Sequence, residues 1–244
     1  RGFPPGEEAA VGALIARVGS LSASSRVLEI GIGTGRIALP VAQRVSAYYG
    51  IDLSRGMLER LRAKQNGEPI YVVEGDATRL PFHDNTLDAA VAVHVFHLIP
   101  GWRDVLRELG RVLKPGAPLV HGWSKRDEGY RALWDAWNAA LPSRPPDVGA
   151  QWRETPTFLE DEGWQPVSEE QYHTYIVERS PLDVLEGARQ RLWSSLWRLT
   201  DDEIERGAAA MQAAVEALYP QPEQARQFES AFIVRAYLPD IVFR

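Results

Sequence analysis

The chain contains no cysteine. Disulfides, thiolate nucleophiles and cysteine-ligated metals are therefore excluded. The scattered His, Asp and Glu trace no metal-ligand spacing, so no metal site is expected. Methionine is scarce, with two residues, and lysine occurs only as Lys64, Lys114 and Lys125. No apolar run approaches the ~20 residues that a membrane-spanning helix needs. No secretory leader is read ahead of the first helical pattern, and a cytoplasmic protein is expected. An excess of positive charge is absent too: Lys and Arg number 27 against 33 Asp and Glu, a net charge of −6. That balance disfavours wrapping nucleic acid on a broad basic face and leaves only a local basic groove open. What is present is a chain of 244 residues, 45% of them apolar, enough to bury one large core. No internal repeat or low-complexity tract interrupts it.

The apolar residues follow two alternating periods. Val11, Leu14, Ile15 and Val18 lie on one helical face. Val27–Ile30, Tyr48–Ile51, Ile70–Val73, Leu87–Val93 and a segment opening at Leu119 read as buried strands. Helices are expected over 36–45, after Ser54 as a candidate N-cap, and over 102–113, where Lys114-Pro115-Gly116 ends the pattern. The helix after Ser54 should carry Met57, Leu58 and Leu61 inward. Strands joined by helix-length crossovers pair in parallel through right-handed connections. After Trp123 the pattern changes. Segments 130–141 and 182–219 read as mostly helical and Trp-rich, 157–164 as a short helix, and 172–177 and 231–237 as strands.

In such sheets ligands sit outside the carboxyl ends of the strands, near the point where strand order reverses. That rule selects Gly31 to Gly35, Asp52, Asp76 and His94. In Glu29-Ile30-Gly31-Ile32-Gly33-Thr34-Gly35, the alternating glycines permit a tight turn and keep side chains out of a ligand's way. The helix behind such a turn aims its N-terminus at a pyrophosphate or a carboxylate. A purely structural turn explains the glycines alone equally well. Asp52 follows the second strand, where a carboxylate can accept from both hydroxyls of a ribose or cap the next helix. Asp76 follows the third, where it can meet an adenine amine or sit as a solvated turn residue.

Four segments in order, VLEIGIGTGRIALPVA, GIDLSRGMLERLRAK, VVEGDATRLPFHDNTLDAAVAVHVFHL and LRELGRVLKPGAPLV, resemble class I S-adenosylmethionine-dependent methyltransferases. Within that class the resemblance is to the ubiquinone/menaquinone-biosynthesis subgroup, and it covers roughly the first half of the chain. It implies a single α/β domain over 1–244 with a doubly wound, mostly parallel, Rossmann-like sheet of seven strands. Residues 1–124 would be the cofactor-binding half. Residues 125–244 would complete the sheet and carry a helical cap, about 181–228, inserted before the last strand. It also implies S-adenosyl-L-methionine as cofactor and S-adenosyl-L-homocysteine as product. Gly31, Gly33 and Gly35 would approach its methionine part, and Glu29 would orient the loop or meet the amino group through water. Asp52 would hold the ribose, Leu53 and Met57 would pack near the adenosine, and Asp76 and Ala77 would contact adenine. His94 and Val95 would line the transfer edge. Ala117 departs from a second Gly common after Lys-Pro-Gly, at a structural turn.

A sulfonium methyl is already electrophilic, so the cofactor carries the hard chemistry. A base is needed only when the acceptor must lose a proton. Histidine suits that task with an unperturbed pKa of about 6.5, and His94 at a strand's carboxyl end is the catalytic candidate. His97, His121, His173, Tyr130 and Tyr172 are further options that packing explains as well. Trp134, Trp137, Trp152, Trp193 and Trp197 either face a flat or apolar acceptor or pack the inserted helices. Asp201-Asp202-Glu203 reads as a solvated helix start. A rival NAD(P)-dependent oxidoreductase would want its third glycine one position later, where Arg36 stands; a non-catalytic S-adenosylmethionine-binding module is the other rival. A small-molecule acceptor is expected, with oxygen, nitrogen and carbon attack all open.

Overall fold

A computed structural model describes residues 3–125, 129–141, 148–150 and 157–240. In chain order the elements are α1 (Glu8–Val18), β1 (Arg26–Ile30), α2 (Ala38–Ala42), β2 (Ala47–Asp52), α3 (Arg55–Lys64), β3 (Ile70–Glu74) and β4 (Ala89–Val93). A 3-10 turn (Phe96–Leu98), α4 (Trp102–Val112), β5 (Leu119–Ser124), α5 (Arg131–Ala139), α6 (Phe158–Asp161), β6 (Trp164–Pro166) and β7 (Gln171–Arg179) follow. The chain then runs through α7 (Pro181–Arg189), a second 3-10 turn (Ser194–Leu196), α8 (Asp201–Leu218) and β8 (Arg226–Pro239).

The sheet runs β3-β2-β1-β4-β5-β8-β6, with β7 paired to β8 off this path. The first five strands are parallel, and β8 is antiparallel to both β5 and β6. The α/β, mostly parallel architecture is the expected one. Its strand count differs: eight strands form the sheet instead of seven. The addition is β6, which at three residues is too short to show a strand period and is secured by the wholly buried Trp164. Two other expectations change. The helix expected over 36–45 shortens to α2, which starts three residues after the left-handed Gly35 (φ +77°). Ser54 does not cap α3 with its side chain.

The chain order reverses between β1 and β4, so the crevice between their carboxyl ends is the natural ligand position. β1 and β4 are almost entirely buried because helices cover such a sheet on both faces. The residues cluster into two compact units. Among the described residues, one comprises 3–125, 148–150, 157–173 and 231–240, and the other 129–141 and 174–230. The core of the first gathers Leu28, Ile30, Ala90, Val105, Leu109, Leu119 and Tyr237, among others. In the second, α5, α7 and α8 enclose Leu133, Trp137, Leu185, Ala188, Met211 and Val215. Capping boxes start two of its helices: Ser180 with Asp183 on α7, and Thr200 with Glu203 on α8. Among the described residues no helix is long and apolar enough to cross a membrane.

Candidate functional site

At the end of β1 the chain turns through Gly31, Gly33 and Gly35, with φ of +65°, +56° and +77°. This left-handed backbone favours glycine, and each glycine answers a different neighbour. A Cβ at Gly31 would lie 2.4 Å from Val95 Cγ2, and one at Gly35 only 2.1 Å from Leu61 Cδ1. Gly31 therefore admits the segment after β4, and Gly35 admits α3. A Cβ at Gly33 would meet only the Gly31 carbonyl oxygen, at 3.9 Å, so the crest of the turn stays open.

Asp52, the last residue of β2, fastens this turn. Its Oδ2 accepts from the Gly33 N–H and its Oδ1 from the Ser54 N–H, each at 2.9 Å. The second contact ties Asp52 to the N-cap residue of α3. A carboxylate has about four lone-pair positions, so the two contacts leave capacity for a diol. The Asp52 carbonyl accepts from the Gly75 N–H at 3.1 Å, tying the ends of β2 and β3 together and bringing Asp76 to the same edge. Asp76 is exposed and its Oδ1 accepts from the Thr78 N–H at 2.9 Å, while Ala77 behind it is buried. Leu53 is 73% exposed, an apolar side chain presented at the sheet edge, and Met57 is half-buried one turn into α3 instead of fully inward.

Glu29 is buried one residue before the end of β1 and accepts a hydrogen bond from the equally buried Tyr48 hydroxyl at 2.9 Å. Burial raises its pKa to about 8, against the opposing effects of that hydrogen bond and of Arg36. His94 follows β4 in a left-handed conformation, φ +51°, which is strained for a residue with a side chain. Its Nε2 lies 3.0 Å from Ser124 Oγ at the end of β5. Val95 is buried against Gly31. The sheet thus brings all the expected edge residues, from Glu29 to Val95, to the carboxyl ends of β1 to β4.

The other candidates separate. His121 is 1% exposed inside an aromatic nest, stacked on Trp123 with ring centroids 5.2 Å apart. Desolvation pushes its pKa down to about 3, with His97 adding to the shift, so it is neutral near pH 7 and sits in the core. His173 Nε2 lies 2.6 Å from Glu7 Oε2, beside the start of α1. The Tyr130 hydroxyl donates to the Arg179 carbonyl at 2.8 Å, and the exposed Tyr172 donates to Glu170. Trp134, Trp137 and Trp193 pack within the helical unit, with Trp134 edge-on to Trp193 at 4.9 Å. Trp197 is 52% exposed and Trp152 lies outside the described residues. A cavity of about 550 Å³ lined in part by Trp102, Phe158 and Glu162 contains none of the edge residues. Two partners escaped sequence reasoning, Tyr48 and Ser124, because each acts across strands; the register of β1 on β2 was the available signal for Tyr48.

Comparison with known proteins converges on the same half of the chain. Residues 28–121 match the family described as methyltransferase domain. The chain is similar to a fatty-acid O-methyltransferase of Mycolicibacterium smegmatis, 35% identical over 122 residues, covering 49% of this chain and 43% of that protein. It is similar to a phosphatidylethanolamine N-methyltransferase of Cereibacter sphaeroides, 38% identical over 99 residues, covering 39% of this chain and 48% of that protein. The chain therefore spans less than half the length of these curated relatives. Its fold resembles that of a geranyl diphosphate methyltransferase solved with S-adenosylmethionine, at TM-score 0.51 and 18% identity, covering 94% of this chain and 84% of that one.

Proposed function

We propose that the chain is a class I S-adenosylmethionine-dependent methyltransferase that transfers a methyl group from S-adenosylmethionine to a small-molecule acceptor. The observation that carries this reading is Asp52, which holds both the crest of the glycine turn and the start of α3 while keeping acceptor capacity for a ribose. In this reading Gly31, Gly33 and Gly35 run beside the methionine end, with Glu29 beneath it. Leu53 and Met57 cover the adenosine, Asp76 and Ala77 meet adenine, and His94 and Val95 border the acceptor. The open crest at Gly33 and the polar acceptors at the strand ends fit a nucleoside with a charged amino-acid tail.

When bound, the cofactor supplies an electrophilic methyl carbon. The protein's own work is alignment and exclusion of water, and alignment alone contributes about 7–11 kcal/mol in well-oriented systems. His94 is the candidate base where the acceptor must lose a proton, as an amine, phenol or carbon acid does; a carboxylate acceptor needs none. The relatives named for a fatty acid and for phosphatidylethanolamine favour a lipid-like acceptor, taking the methyl on oxygen or nitrogen. The nicotinamide reading has no observation in its favour, since Arg36 occupies the place of its third glycine.

The test is incubation with S-adenosylmethionine and a panel of fatty acids, phosphatidylethanolamine and phenols, followed by mass spectrometry. The expected result is one acceptor class gaining a methyl group with equimolar S-adenosylhomocysteine. Cofactor binding with no transfer to any acceptor would favour a binding module without turnover.

A further inference from the structure

We propose that the loop between α7 and α8 is a docking surface for an anionic lipid bilayer, on which the protein sits without crossing it. The choice of a lipid occupant rests in part on the lipid-like acceptor proposed above. Between Glu186 and Asp201 the chain holds Arg189, Arg191 and Arg198 and no acidic residue, although its net charge is −6. Five large apolar side chains are interleaved with these cations. Leu196 and Leu199 are buried, and Trp193 packs against Gly187 and edge-on to Trp134. Leu192 and Trp197 are left outside, 46% and 52% exposed. No other described tryptophan is exposed.

The loop is built to hold these two side chains out. At the end of α7 the Arg191 N–H donates to the Ala188 carbonyl at 3.0 Å and the Leu192 N–H to the Gly187 carbonyl at 2.9 Å. That closure puts Arg191 in a left-handed conformation, φ +52°, where glycine is usual. The Arg191 guanidinium compensates by tying the two ends of the loop together: it donates to the Leu199 carbonyl at 3.1 Å and to Asp201 Oδ1 at 2.7 Å. The Trp197 indole N–H donates to the Arg191 carbonyl at 2.9 Å. Its polar edge is thus satisfied by backbone, and the rest of the ring offers apolar carbon. A loop already ordered in this way loses little freedom on docking.

The surrounding charge selects the occupant. Asp201 neutralises Arg191, and Glu186 accepts from the Gln190 amide at 2.7 Å. Arg189 is exposed and donates to the neutral Gln212 side chain at 2.7 Å, and Arg198, next to Trp197 in the chain, is exposed too. Apolar side chains bracketed by guanidinium groups match the boundary of an anionic bilayer. Leu192 and Trp197 would enter the acyl region there while the arginines meet phosphate headgroups.

The experiment is cosedimentation of the whole chain with vesicles of phosphatidylcholine alone, and of phosphatidylcholine and phosphatidylglycerol in equal parts, at low and high salt. Neither vesicle contains S-adenosylmethionine or an acceptor from the panel above, so the result is separate from that of the methyl-transfer assay. The expected result is saturable binding to the mixed vesicles that weakens as salt rises, and much weaker binding to phosphatidylcholine. Trp197→Ser should lower the affinity about tenfold. Arg189→Gln, which leaves the packing alone, should lower it about fivefold on the mixed vesicles only. Equal binding to both vesicles, wild-type affinity in both variants, or no binding by demonstrably folded protein would overturn the proposal and leave the methyl-transfer reading standing. A dimer in sedimentation velocity that Trp197→Ser abolishes, without vesicle binding, would overturn it in favour of a second copy of the chain.

Discussion

Around the glycine turn, polar groups are kept and given partners: the buried Glu29 on Tyr48, and the half-buried Asp52 on Gly33 and Ser54. In the helical unit of α5, α7 and α8 the buried set is Leu133, Trp137, Val184, Leu185, Met211 and Val215, and its polar groups serve mainly helix starts. Buried polar pairs cost stability that apolar packing of equal volume would supply. The buried Glu29–Tyr48 pair lies beside the turn proposed to receive the cofactor, whereas among the described residues the buried polar side chains of the helical unit are those of Ser180 and Ser230. The family match, residues 28–121, falls on the first kind of region.

Substitutions can break that contrast. The largest effect is expected from Trp137→Ala. Trp137 is 1% exposed and packs on Gly207, so its loss should cost about 3–5 kcal/mol in urea unfolding. The fraction that stays folded should bind S-adenosylhomocysteine as before, and a parallel loss of affinity would dissolve the distinction between the regions. Next comes the pH dependence of Glu29. Its pKa is raised on folding, so the stability it contributes is complete below its ordinary value of 4.5 and is lost as pH rises through about 8. Unfolding free energies of wild type and Glu29→Gln should therefore diverge in that window, by up to ~1.4 kcal/mol per pH unit, with the variant gaining. Parallel curves would place the carboxyl in a less buried setting.

Gly35→Ala should cost about 1–3 kcal/mol, because the new Cβ meets Leu61 and the backbone there is left-handed. Cofactor affinity should fall with it, since the turn and α3 move together. Asp52→Asn sharpens the contrast from the other side, with little change in melting temperature and a drop of about ten- to a hundredfold in affinity, the worth of a charged hydrogen bond. The smallest effect belongs to Trp197→Ala. Half of that ring is exposed, and stability should stay within about 0.5 kcal/mol.

The parts legible in the sequence are those written locally. Short apolar runs bounded by turns announced β1 to β5, alternating glycines announced the turn, and the carboxylates fell where parallel strands end. What was not legible depends on register between distant segments. Tyr48 reaches Glu29 and Ser124 reaches His94 only because neighbouring strands align as they do. His121 lay on a strand with its facing undetermined until packing placed it among Phe96, Trp123 and Phe158. β6 escaped because three residues carry no period. Ser54 looked like a cap from its position and does hold the N-cap position of α3, but its side chain makes no capping hydrogen bond.

The central claim, that the turn held by Asp52 receives S-adenosylmethionine, is tested most directly by calorimetric titration of wild type and Asp52→Asn with S-adenosylmethionine and with a reduced nicotinamide. The account predicts one site for S-adenosylmethionine, a weakened site in the variant, and no heat from the nicotinamide. Silence toward S-adenosylmethionine from folded protein, or equal affinity in the variant, would contradict it.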